Sequence, residues 1–106
     1  CEYEWGVHVT TFAAAAHLTE QQIRATVLGV ATDACWSAAE QAMIAAVDAL
    51  HDRATLSDAE FTALSAHYDT DKILEIIQLC GFYRKVSYLD NKMELPLEES
   101  AARFQG

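Results

Sequence analysis

Residues 37–60 read SAAEQAMIAAVDALHDRATLSDAE, and the stretch carries one device twice. Ser37 stands three residues before Glu40, and Ser57 three before Glu60. In such a pair the serine hydroxyl accepts from the backbone N–H three residues on, while the carboxylate reaches back to the serine N–H. Each pair satisfies two of the donors that a helix start leaves open, so each predicts a helix beginning at the next residue. Between them Ala39, Ala42, Met43, Ala46, Ala49 and Leu50 recur at helical spacing, with Glu40, Gln41 and Asp48 on other faces. This predicts one helix over 38–52 and a short one over 58–66.

Outward from this stretch the pattern repeats. Thr19 and Gln22 make a third capping box, ahead of a helix over 20–28 that Gly29 stops. A loop through Asp33, Cys35 and Trp36 leads to Ser37. Before it, apolar residues at helical period predict a first helix over 2–16. After it, a long helix runs from residue 70 or 71 to 91 and is apolar almost all round, with Ile73, Ile76, Leu79, Phe82, Val86 and Leu89 among its residues. Such a helix is expected to be buried on more than one side, against another subunit or a segment preceding this chain. Gly81 in its middle costs about 1 kcal/mol of helix propensity relative to alanine, which close packing of a neighbour would offset. Pro96 ends the regular structure, and the tail through Gln105 reads as a surface extension. No segment alternates as a strand, and no linker, repeat or low-complexity run divides the chain. The expectation is one all-α domain.

Composition agrees. With 106 residues, 52% of them hydrophobic, the chain has enough apolar side chain for a core. Its 19 alanines favour helices, and it has one proline. The balance of 16 acids against 7 Lys and Arg gives a net charge of −9, which opposes binding to nucleic acid phosphates or anionic membranes. No apolar run reaches the roughly 18 residues that span a bilayer. The three cysteines, Cys1, Cys35 and Cys80, are far apart and form neither a C-x-x-C pair nor a zinc-ribbon spacing, which favours a reducing, cytoplasmic setting. The helical pattern is already running at Glu2, behind a residue that is not an initiator methionine, so further helices are expected to precede this chain.

The specific chemistry lies at the start, in CEYEWGVH, residues 1–8. At about 100° per residue, with Cys1 at zero, Glu4 falls near −60°, His8 near −20°, Phe12 near +20° and Trp5 near +40°. This reads as the buried face of the helix, with two ionisable groups set into it one turn apart. A carboxylate or imidazole buried among aromatics is costly unless partnered, and Glu4 and His8, at i and i+4, can partner each other. Desolvation and mutual attraction act in opposite directions on both, which suits a proton-transfer pair working near neutral pH. Cys1 adds a thiol to the same edge, and a protonated His8 would favour its thiolate. A metal site on Cys1, Glu4 and His8 lacks a second cluster to complete its shell. The alternative is an ordinary structural or solvated Glu–His pair. His51 and His67 read as exposed helix-end residues, and His17 as a surface cap.

Tyr3-Glu4-Trp5 with His8, Leu18-Thr19, Trp36-Ser37, Ala46-Val47-Asp48-Ala49-Leu50-His51, Ser57-Asp58, Gly81-Phe82-Tyr83, Asn91 and Leu95-Pro96-Leu97 follow one another in an order that resembles the carboxymuconolactone decarboxylase family, within the AhpD-like all-helical superfamily. The resemblance implies an AhpD-like helical domain, a trimer or hexamer of identical chains, and further helices before the motif. Peroxidase members carry C-x-x-C and then a histidine four residues on. Here Cys1 and His8 occupy the first and last of those places and Glu4 stands where the second cysteine would be. Glu4 cannot resolve a sulfenic acid, so the resemblance points away from peroxidase chemistry. A second departure is His17, where many relatives have glycine before Leu-Thr.

What the resemblance implies is a carboxy-lyase or related lyase or isomerase, acting without cofactor or metal on a small oxygenated organic acid or lactone. His8 would move the proton and Glu4 would orient it. Trp5 and Phe12 would form an apolar wall, Tyr83 would donate a hydrogen bond, and Cys1 would line the same pocket. The rivals are a thiol-dependent oxidoreductase using Cys1 and a non-catalytic oligomeric binding protein.

Overall fold

Among the described residues there are five α-helices, and three of them begin where a capping box supplies their first donors with partners. The computed structural model describes residues 1–104, and among them there is no strand. The helices are α1 (Glu2–Phe12), α2 (Glu20–Leu28), α3 (Ala38–Arg53), α4 (Asp58–Ser65) and α5 (Thr70–Met93). The chain is all-α, as its sequence predicts. All three capping boxes close in both directions, Thr19 with Gln22, Ser37 with Glu40 and Ser57 with Glu60. None of the described helices is long and apolar enough to cross a membrane.

Three residues that follow helices take the left-handed conformation, and none of the three is glycine. His17 has φ 57°, Ala54 φ 59° and Glu94 φ 53°. At the first, the Leu18 N–H donates to the Ala13 carbonyl and the His17 N–H to that of Ala14. These are the paired bonds of a Schellman motif, with His17 in the place glycine prefers. Leu95 to Asp90 and Glu94 to Asn91 repeat the arrangement after α5. The regular helix α1 therefore stops at Phe12, four residues before the expected end, and the remaining residues form the turns that close it.

The described residues fall into two compact units, Ala31–Tyr83 and the pairing of Cys1–Val30 with Arg84 onward. In the first, Leu64 of α4 is fully buried with Ala46 of α3 and Ile73 of α5. Met43, Leu56, Tyr68 and Ile76 pack around these three. The Tyr68 hydroxyl donates to the Ala39 carbonyl at 3.2 Å. Gln41 Nε2 donates to the carbonyls of Asp33 and Trp36, which ties the loop before α3 to its first turns. Arg53, at the end of α3, pairs with Glu60, the capping carboxylate of α4. Ala54 in its left-handed conformation makes the corner between them.

Within this chain α5 is covered on one side only. Only Ile73 of its 24 residues is buried, while Leu74, Leu79, Phe82 and Leu89 are each about half exposed. A Cβ at Gly81 would meet nothing within 4 Å among the described atoms, so no close neighbour offsets its cost here. The periodicity reported apolar faces correctly; what it could not report is that one chain supplies a partner to only one of them.

In the second unit the segment after Pro96 lies along α1. The Ala102 N–H donates to the Gly6 carbonyl at 3.3 Å and to Thr10 Oγ1 at 2.9 Å. Thr10 in turn donates to the Ser100 carbonyl, and the Phe104 N–H to Glu2 Oε1 at 2.7 Å. Ala101 is buried. Residues 98–104 are thus docked chain rather than a loose surface extension; Gln105, where that expectation ended, lies outside the described residues. Contact this close requires Gly6, because a Cβ there would stand 2.2 Å from the Ala102 carbonyl oxygen.

Candidate functional site

The docking of that segment fixes which side of α1 is covered. Gly6 is the one buried residue of the helix, and Ala13 just beyond it is buried too. On the wheel these lie about 120–140° from Cys1. The stripe of Cys1, Glu4, Trp5, His8 and Phe12 is therefore not the buried face that its aromatic content predicts. Cys1, Glu4, Trp5 and His8 are half-buried, and Phe12 is 55% exposed. Small residues at Gly6, Ala101 and Ala102 permit backbone contact, and here that contact covers the helix where bulkier apolar side chains do not.

Glu4 and His8 do come together. His8 Nδ1 lies 2.8 Å from the Glu4 backbone carbonyl and 3.5 Å from Glu4 Oε2. A carbonyl oxygen only accepts, so the neutral ring carries its proton on Nδ1 and its lone pair on Nε2. The side chains remain 40% (His8) and 23% (Glu4) exposed, which leaves the pair reachable by a small solute. The His8 ring lies 5.6 Å from that of Phe12, tilted by 43°.

Glu4 is also acted on by a group that no sequence pattern singles out. That group is Asp90, near the end of α5, which acts on the Glu4 carboxyl. The Glu4 pKa is raised above the ordinary value, first through hydrogen bonding with Asp90, then through burial and the charge of Asp90, with His8 opposing them. Asp90 Oδ2 is buried without a hydrogen-bond partner. Tyr3, whose hydroxyl donates to Glu98 Oε1 at 3.4 Å, has its pKa raised chiefly by the Glu98 charge, with Asp90 and Glu4 contributing.

The remaining candidates are placed as follows. Trp5 Nε1 donates to Thr26 Oγ1 of α2 at 2.8 Å, and its ring packs against Phe104 at 5.2 Å. Those contacts fasten Trp5 to α2 and to the docked segment. Cys1 is the N-cap of α1, with a free thiol and no side-chain capping bond. It stands seven residues before His8, about 10 Å along the axis, with Glu4 between them. Tyr83 belongs to the other unit, where its ring meets Phe82 edge-on at 5.3 Å. Cys35 and Cys80 also lie in that unit, neither in a disulfide, and burial raises the Cys80 pKa. Among the described residues no group of three or more His, Cys, Asp or Glu side chains is arranged to hold a metal ion.

Chemically, the arrangement offers an imidazole oriented through Nδ1 by a backbone carbonyl, and a carboxyl group beside it whose proton affinity is increased. Compared with family models, with curated proteins and with solved structures, the chain finds no match.

Proposed function

We propose that this protein carries out acid–base chemistry on a small oxygenated organic acid or lactone, in the manner of a non-redox member of the carboxymuconolactone decarboxylase family. The observation that carries the reading is the Glu4–His8 pair with its Nδ1–H bonded to the Glu4 carbonyl. Nε2 accepts a proton from the carbon or oxygen acid of the substrate, and the imidazolium so formed is stabilised by the neighbouring carboxyl group. The imidazolium, partly exposed and open to exchange with solvent, then delivers a proton to carbon, as loss of carbon dioxide or migration of a double bond requires. Phe12 beside the ring provides an apolar surface for the substrate's carbon skeleton. Cys1 is a bystander in this chemistry, and no metal or cofactor takes part in it.

The test is a titration of the protein, labelled in its histidine rings, with a panel of small oxo acids and lactones followed by NMR. A ligand of this site shifts the His8 resonances saturably and leaves those of His51 and His67 in place. Uniform or absent shifts across the panel would remove the reading.

A second reading is favoured by a different observation. Leu74, Leu79 and Phe82 on α5, with Phe61 on α4, are each about half exposed. Such surface supports a homo-oligomer, a trimer or hexamer in the family resemblance, and it serves a non-catalytic oligomeric binding protein equally well.

A further inference from the structure

One face of α5 repeats at a spacing of its own. Leu79, Phe82, Val86, Leu89 and Met93 are separated by three, four, three and four residues, the a and d places of a heptad. With Ile73 at zero and about 100° per residue, all five fall at roughly 160–240°. Ile73 is buried, and the half-buried Ile76 and Cys80 fall near 300° and 340°, on its side of the helix. The chain thus covers α5 elsewhere. Leu79, Phe82, Leu89 and Met93 remain between 48% and 69% exposed, with Val86 half-buried among them in sequence. Glu75, at the next d place toward the N-terminus, ends the apolar seam.

Such spacing specifies a kind of partner, because a and d side chains fit the holes between the same places of a second helix. The flanking residues say which helix. Gln78 and Lys85 occupy g places, and Tyr83 and Asp90 occupy e places. In a parallel, in-register pair each g residue faces the e residue five positions on in the other helix. Lys85 then faces Asp90 and Gln78 faces Tyr83, an ammonium against a carboxylate and an amide against a phenol, each twice by symmetry. An antiparallel pair matches g with g and e with e, which gathers the lysines and gives Asp90 no cation. Asp90 Oδ2 is buried without a hydrogen-bond partner, so a cation beside that carboxylate is stabilising. Val86 at a with Leu89 at d is the combination that favours two strands.

We propose that α5 joins two copies of this chain in parallel along the Leu79–Met93 seam, with Lys85 of one copy paired to the partner subunit's Asp90. This rests on the homo-oligomer reading and is independent of the acid–base one. It gives that oligomer a two-fold contact, which a hexamer can contain and a three-fold trimer cannot. The helix is already formed within each chain, so the seam need not sustain it as it must in an isolated coiled coil.

The experiment measures the mass of the whole chain by light scattering and locates the contact by cross-linking. The expected mass is that of a dimer or an even multiple of the chain. With Cys1, Cys35 and Cys80 replaced by serine, Leu89→Cys sets two thiols across the seam, and mild oxidation should link the chains in pairs. Asn91→Cys, at an outer place of the heptad, should not link. Lys85→Glu, at an exposed position, should keep the helix content and weaken self-association roughly tenfold. A monomer at every concentration would overturn the seam and the homo-oligomer reading together. Three results would overturn the seam alone and leave an oligomer standing: an odd number of chains, Asn91→Cys linking as readily as Leu89→Cys, or self-association unchanged by Lys85→Glu. Should Leu89→Cys fail to fold, the mass and Lys85→Glu decide.

Discussion

Replacing Gly6 with alanine tests how α1 is covered, because the new methyl group points at backbone rather than at a movable side chain. Its carbon would stand 2.2 Å from the Ala102 carbonyl oxygen, 3.3 Å from that carbonyl carbon and 3.4 Å from Ala101 Cβ. A carbon–oxygen contact settles at roughly 3.3 Å, so the segment must retreat by about 1 Å. It cannot do so and keep the Ala102 N–H on the Gly6 carbonyl and on Thr10, or the Thr10 hydroxyl on Ser100. Three hydrogen bonds at about 1 kcal/mol each are set against about 1 kcal/mol of helix propensity gained on replacing glycine. The expected net loss is about 2 kcal/mol, with α1 itself intact. Chemical denaturation measures the loss, and Trp5 fluorescence in a Trp36→Phe background reports the separation of Trp5 from Phe104. A Gly6→Ala protein that is more stable by the helix-propensity increment, with unchanged Trp5 emission, would refute the docking of residues 98–104.

Two further outcomes follow from local geometry. His17→Gly relieves a left-handed backbone at an exposed position and should stabilise by about 1 kcal/mol, raising the melting temperature by roughly 4–8 °C. His17→Ala keeps the strain and should give no such rise. Glu60 has its pKa lowered to about 2, first by the Ser57 N–H and then by Arg53. A depressed carboxyl stabilises the fold fully above its unfolded value of 4.5, and that stability is lost as pH falls through the folded value of about 2. A carboxyl titration should find the Glu60 midpoint near 2, and Arg53→Gln should raise it without restoring 4.5; an ordinary midpoint in wild type would contradict the cap.

What the sequence could reveal was mostly what one turn of chain can encode. Thr19, Ser37 and Ser57 begin α2, α3 and α4 because each cap is a contact over three residues, within reach of any local reading. The core of α3 was legible for the same reason, since Ala46 and Met43 sit on its apolar stripe and do meet Leu64 and Ile73. The Glu4–His8 contact is an i,i+4 pair and was equally accessible.

Contacts over 80 residues or more were not. Nothing local to Ala101-Ala102 signals that the segment lies on Gly6, although a glycine inside an otherwise sound helix was the available clue. The wheel of α1 ranked faces by side-chain size, which favoured Trp5 and Phe12. The face actually covered is the one where backbone approaches backbone. Asp90 was missed because its meaning depends wholly on Glu4, 86 residues earlier in the sequence.

The measurement that bears most directly on the proposed chemistry is turnover of small oxo acids and lactones in heavy water, followed by proton NMR, for wild type and His8→Asn. If His8 moves a proton to and from carbon, the wild-type product carries carbon-bound deuterium, and His8→Asn loses the rate by about 100-fold or more while keeping its fold. Equal deuterium incorporation by the two proteins, or none above the solvent rate by either, would contradict it.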